Sequence, residues 1–153
     1  MLEFYLRFAP DSVVHIDGEV MLNHLQREKG RFKAHTNSGD EMRVFLERGH
    51  TLAIGEILRS ECGQNVIVVG ALESVITAVT DDPVLFSQAC YHLGNRHVKV
   101  QIGGGWLRFS PDHVLEDMLI KLGMQLEAEQ AVFVPERGAY SNHGKQDSHD
   151  HHH

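Results

Sequence analysis

At 153 residues the chain is long enough for one ordinary domain or two small ones, with room for a real buried core. Its formal net charge of −7, from 21 acidic against 14 basic residues, argues against nucleic acid as a partner, because phosphate binding needs clustered positive charge. No apolar run reaches the roughly 18 residues of a membrane span, and the opening MLEFYLRFAP interleaves charge with apolar residues, so neither a span nor an export signal is expected and a cytoplasmic location follows.

The pattern over residues 1–72 predicts a small all-β domain. Apolar and polar residues alternate along Arg31-Phe-Lys-Ala-His-Thr36, as in a half-buried strand. Asn37-Ser-Gly-Asp40 is a turn cluster, and Met42, Val44 and Leu46 alternate along the next strand. Leu52 to Leu58 and Val66 to Val69 supply further short apolar runs, with a turn at Glu61-Cys-Gly-Gln-Asn65. The one helical candidate in this half is Leu22 to Glu28.

The organisation changes near residue 72. Ser74 to Thr80 is rich in β-branched residues. Asp82-Pro83 then offers a helix N-cap followed by proline in the first turn. Phe86, Ala89, Cys90 and Leu93 give that helix one apolar face, and Gly94 is expected to close it. Val98 to Ile102 and Trp106 to Phe109 flank Gly103-Gly-Gly105. A strand rather than a helix follows those glycines, so a hairpin turn is expected in place of a phosphate loop. Ser110-Pro111 is expected to open a second helix with Leu115, Met118, Leu119 and Leu122 on its apolar face and Gly123 at its end. Met124 to Val134 is the last strand. The order βαββαβ predicts a ferredoxin-like domain over 73–142, an α+β fold overall, and a disordered His-rich tail over 143–153.

Histidine is the anomaly: there are twelve, and five fall in the last eleven residues, His143, His149, His151, His152 and His153. An expression tag is one explanation. The interruption by Asp150 and the preceding Lys145-Gln-Asp-Ser148 favour a native tail instead. Neutral imidazole suits Ni2+, Cu2+ and Zn2+. In the folded part His97 follows a helix exit and His113 sits in the first turn of the next helix. A histidine in His97's place can equally be a helix-dipole partner. His92, five residues before His97, lies some 140° away on a regular helix and so cannot share an ion with it unless Gly94 and Asn95 break the helix between them. His15, His24, His35 and His50 lack chelating spacing and are expected at the surface. Cys62 and Cys90, without a CxxC, are expected as reduced thiols. The chain has no HExxH, GxSxG or Walker A pattern, and Asp112 and Glu116-Asp117 suit the first turn of a helix better than acid–base catalysis. A profile rich in metal ligands and poor in reaction centres favours capture and release of a metal over catalysis.

Several motifs are familiar. Gln88-Ala-Cys-Tyr-His-Leu-Gly-Asn-Arg-His-Val98, Gln101-Ile102, Asp112-His-Val-Leu-Glu-Asp-Met-Leu119, Pro135-Glu-Arg-Gly-Ala-Tyr140 and His143-Gly144 closely resemble the UreE family of urease accessory proteins. Leu46-Glu-Arg-Gly49 and Gly55-Glu-Ile-Leu58 match weaker motifs of that family. The resemblance implies a cytoplasmic nickel metallochaperone with an N-terminal domain likened to a peptide-binding module and a ferredoxin-like metal-binding domain. It also implies a homodimer in which His97 meets its symmetry mate, tail histidines that complete the ligand sphere, and delivery of Ni2+ to apo-urease through the accessory GTPase of the assembly complex. In a His-x-His pattern of some members, His113 matches the second histidine, but here Pro111 replaces the first. Two alternatives remain open: a metal-dependent hydrolase using His97, His113 and Asp112, and a passive metal store or detoxifier.

Overall fold

A computed structural model describes residues 1–13 and 15–138 and divides them into two compact units, Met1–Ala71 and Leu72–Arg137. The architecture is α+β, with a β domain followed by a βαββαβ domain. The predicted tail over 143–153 lies outside the described residues.

The first unit carries β1 (Leu2–Phe8), β2 (Gly18–Leu22), the short helix α1 (His24–Glu28), β3 (Arg31–His35), β4 (Glu41–Phe45), β5 (Ile57–Ser60) and β6 (Asn65–Gly70). Its six strands run in the order β2-β6-β5-β1-β4-β3. The two edges meet: Val20 bridges Thr36, and the Asn37 amide donates to the Glu19 carbonyl at 2.8 Å. The sheet therefore curls on itself, which removes the open edges that invite aggregation. Phe4, Val20, Leu22, Met42, Val44, Leu58, Val66 and Val68 fill the inside. Alternation along β3 and β4 puts Phe32, Ala34, Met42 and Val44 inward, as the sequence pattern required. α1 exists because Asn23 and Gln26 cap it reciprocally, the Asn23 side chain accepting from the Gln26 amide at 2.8 Å and the Gln26 side chain from the Asn23 amide at 2.9 Å.

Two expectations for this half need correction, and two strands carry no clear pattern in the sequence. β1 and β2 were not legible, because charged residues interrupt the apolar pattern of the first and a glycine opens the second. The run from Leu52 to Leu58 is a strand only from Ile57. Its first part is a loop held by Glu56, whose carboxylate accepts from Arg7 at 2.8 and 2.6 Å and from the Ala53 amide at 2.8 Å. His24 is buried rather than at the surface. His15, His35 and His50 are exposed as expected.

The second unit contains β7 (Leu72–Val79), α2 (Pro83–Asn95), β8 (Gln101–Ile102), β9 (Trp106–Phe109), α3 (His113–Leu122) and β10 (Gln125–Val132). Its four antiparallel strands run β10-β7-β9-β8, the order of a ferredoxin-like sheet. Ile76, Ala78, Leu107 and Phe109 from the sheet meet Ala89 and Leu93 of α2 and Leu115 and Leu119 of α3 in one buried cluster. Each fully buried aliphatic side chain there contributes about 1.5–3 kcal/mol. The three glycines form a hairpin turn, with the Gly103 amide donating to the Trp106 carbonyl at 2.8 Å. Gly103 is obligatory, since a Cβ there would lie 2.0 Å from the Trp106 ring.

Candidate metal-binding site

The two helices of the second unit place the candidate ligands. α2 starts where the sequence indicated: Asp82 accepts from the amides of Val84 and Leu85, and Pro83 occupies the first helical position. Its end differs from expectation. Gly94 stays helical and the helix continues to Asn95 with Arg96 as its cap. The left-handed residue is His97, at φ 58°. The His97 amide donates to Gly94 O at 3.0 Å and the Val98 amide to Leu93 O at 3.3 Å. That is the hydrogen-bond pattern of a Schellman motif, with Leu93 and Val98 packed in the same apolar cluster. Glycine normally takes the position that His97 fills here.

A histidine at positive φ is held at a conformational cost, and such residues concentrate at functional sites. His97 is exposed, and among the described residues no hydrogen bond or ion pair holds its imidazole. The packed Leu93–Val98 pair fixes the backbone that presents it. The signal for this geometry was in the sequence: two apolar residues five apart bracketing a helix exit. Gly94 concealed it by suggesting an earlier stop.

α3 is capped two positions later than expected. Ser110-Pro111 lies outside the helix, and Asp112 is the N-cap, accepting from the amides of Val114 at 2.9 Å and Leu115 at 3.1 Å. The Glu116 carboxylate accepts from the Asp112 amide at 2.9 Å. His113 is the first helical residue and is exposed. Asp117 pairs with Lys121 at 3.0 Å. Asp112, Glu116 and Asp117 thus each have a partner within α3.

Among the described residues no three His, Cys, Asp or Glu side chains come together in a way that could hold a metal ion. Among the described residues neither His97 nor His113 therefore belongs to a group of three candidate ligands, and His143, His149, His151, His152 and His153 lie outside the described residues. His92 is exposed and packs edge-on against Tyr91, with ring centroids 5.4 Å apart. Cys62 is an exposed free thiol. Cys90 is a half-buried one whose pKa burial pushes up, away from the thiolate form that binds metals. Apolar side chains stand out on the same two helices: Val84, Tyr91, Val114 and Ile120 are all largely exposed.

Comparison with known proteins agrees with this layout. Residues 14–71 match the N-terminal domain of the UreE urease accessory protein and residues 73–153 match its C-terminal domain. The chain belongs to the UreE family. A urease accessory protein UreE of Marinomonas sp. (strain MWYL1) is 53% identical over 152 residues, covering 99% of this chain and 100% of that protein. The UreE proteins of Alteromonas mediterranea and Vibrio parahaemolyticus are 49% and 47% identical, the first covering 94% of this chain and 93% of its own length, the second 88% and 84%. UreE is a family of accessory proteins rather than catalysts. No helix among the described residues is long and apolar enough to cross a membrane.

Proposed function

We propose that this UreE-family chain is a nickel metallochaperone of the cytoplasm, which binds Ni2+ and delivers it to apo-urease through the accessory GTPase of the assembly complex. The observation that carries this reading is His97: an exposed imidazole, presented by a left-handed residue at the end of a packed helix. One such ligand per chain is a weak site. A homodimer axis beside it makes two facing ligands without any new sequence, and the exposed Val84, Tyr91, Val114 and Ile120 offer apolar surface for subunit packing. Tail histidines, His143, His149 and His151 to His153, complete the coordination sphere and add capacity. His113 is a secondary ligand at most, because the position two residues before it is Pro111.

Nitrogen sites follow the Irving–Williams order, so Cu2+, and also Zn2+, bind in vitro, and selectivity for nickel rests on partners and metal supply. Calorimetric titration checks this, and a strong preference for nickel over copper would contradict it. Binding weakens below about pH 6 as protons compete for imidazole. Addition of the protein to apo-urease with its accessory proteins under limiting nickel tests delivery. The account expects increased activation; nickel binding without any such increase would instead indicate storage.

A further inference from the structure

The sheet of the second unit has one protected edge and one open edge. At the protected edge β8 is only two residues long and has chain beside it: the Val134 amide donates to the Gln101 side-chain oxygen at 3.0 Å and the Glu136 amide to the Val100 carbonyl at 2.7 Å. β10, at the other edge, has no such cover. It pairs with β7 along all of its eight residues without a register shift. Among the described residues its backbone makes no hydrogen bond on the opposite side. Gln125, Glu127, Ala128 and Gln130 are exposed. Edge strands are ordinarily blunted by proline, lysine, a bulge or short length, because a row of free amides and carbonyls templates another strand. QLEAEQAV has none of these.

Side chains along that edge decide which strand it suits. On the sheet face turned away from α2 and α3, the register sets Trp106, Val79 and Gln125 in one row and Arg108, Thr77 and Glu127 in the next. Glu129 is already engaged, accepting from the Thr77 hydroxyl and lying 3.5 Å from Arg108. Glu127 and Asp81 are exposed carboxylates with no hydrogen bond or ion pair among the described residues. Beside the first residue of β10, a cavity of about 430 Å³ opens between Val79, Asp81, Trp106 and Gln125, room enough for a long side chain. A second copy of β10 is a poor occupant. Antiparallel self-pairing centred on Glu127, Ala128 or Glu129 sets glutamate against glutamate each time, and opposed like charges destabilise a sheet.

We propose that β10 takes up an extended, basic segment of a partner protein as an added strand. Backbone hydrogen bonds along the free edge supply the binding, and side chains supply the selectivity. One lysine or arginine lies opposite Glu127. Another, opposite Gln125, runs its apolar stem along Val79 and Trp106 and sets its charged end at Asp81. Those two positions are two residues apart on the added strand, so a segment with a cation at every second residue satisfies both.

The test uses the full chain without metal, so its outcome is independent of the nickel reading. A fluorescein-labelled peptide alternating Lys and Val is titrated by fluorescence anisotropy. Two controls run beside it: the same peptide with Glu in place of Lys, and the basic peptide with all its backbone nitrogens methylated. Binding is expected for the unmethylated basic peptide alone, weakened by added salt. Glu127→Lys places a gatekeeper cation on the edge and should weaken binding about tenfold or more, and Asp81→Asn should weaken it severalfold. Both side chains are exposed, so thermal unfolding and the oligomeric state in sedimentation should stay unchanged. No binding of the basic peptide, equal binding of the acidic or the methylated one, or unchanged affinity in both variants would each overturn the proposal. So would a change of oligomeric state in Glu127→Lys, which would assign the edge to a second copy of the chain.

Discussion

His97 occupies a place where glycine would relieve strain, and that gives a test separating stability from function. His97→Gly should stabilise the protein by about 0.5–1 kcal/mol in thermal unfolding, since glycine adopts positive φ freely. His97→Ala should give no such gain. Both should lose the tight nickel site. A second residue carries a pH signature. Asp17 accepts a hydrogen bond from the Asn65 amide at 2.8 Å and lies 2.9 Å from His15, and the backbone bond, with His15 adding to it, holds its carboxyl below the ordinary value of 3.8. Its folded pKa is depressed, so the unfolded chain takes up the proton first as pH falls. The stability it supplies is present above about 3.8 and is lost as pH falls through the lower folded value. Asp17→Asn keeps an acceptor but cannot titrate, so its acid unfolding curve should be flatter at that end.

At the scale of elements, the helix caps give opposite outcomes for two glycines that look alike in sequence. Gly94 is helical and a Cβ there meets nothing within 4 Å, so Gly94→Ala should stabilise by about 0.5–1 kcal/mol. Gly123 sits at φ 112°, where alanine is strained, so Gly123→Ala should destabilise by about 1 kcal/mol. Chemical denaturation of the two variants reads the difference. Asp112→Ala removes the α3 cap and should cost about 1 kcal/mol while leaving nickel binding intact, which a hydrolase centred on Asp112 would not allow. These contrasts show what was legible in sequence. Both apolar helix faces, the Asp82-Pro83 start and the Gly123 stop were readable, because each is decided by residues within one turn. The α2 exit was not, because it depends on Val98 reaching back to Leu93. β1 was hidden because its bulge breaks the alternation that marks a strand, and because Arg7 is drawn into the structure by Glu56, distant in sequence.

For the whole molecule, the division of labour between the folded part and the tail decides the account. Local spacing could nominate histidines, but it could not show that the described part of one chain brings no three ligands together. A site built on His97 must therefore borrow ligands from a second copy and from the tail. As proposed, the tail histidines serve capacity, so they should raise the number of ions held more than the tightest affinity. A His97 pair, as proposed, would be fixed by the packed helix exit before metal arrives and should set that affinity. The proposed dimer should survive loss of either if apolar packing holds its subunits, and sedimentation of metal-free variants checks this. The most direct measurement is nickel titration of His97→Ala beside a variant lacking residues 147–153. The account predicts that His97→Ala loses the tight site while the truncated chain keeps one ion per dimer at reduced stoichiometry. Loss of all tight binding in the truncated chain, with tight binding kept in His97→Ala, would contradict it.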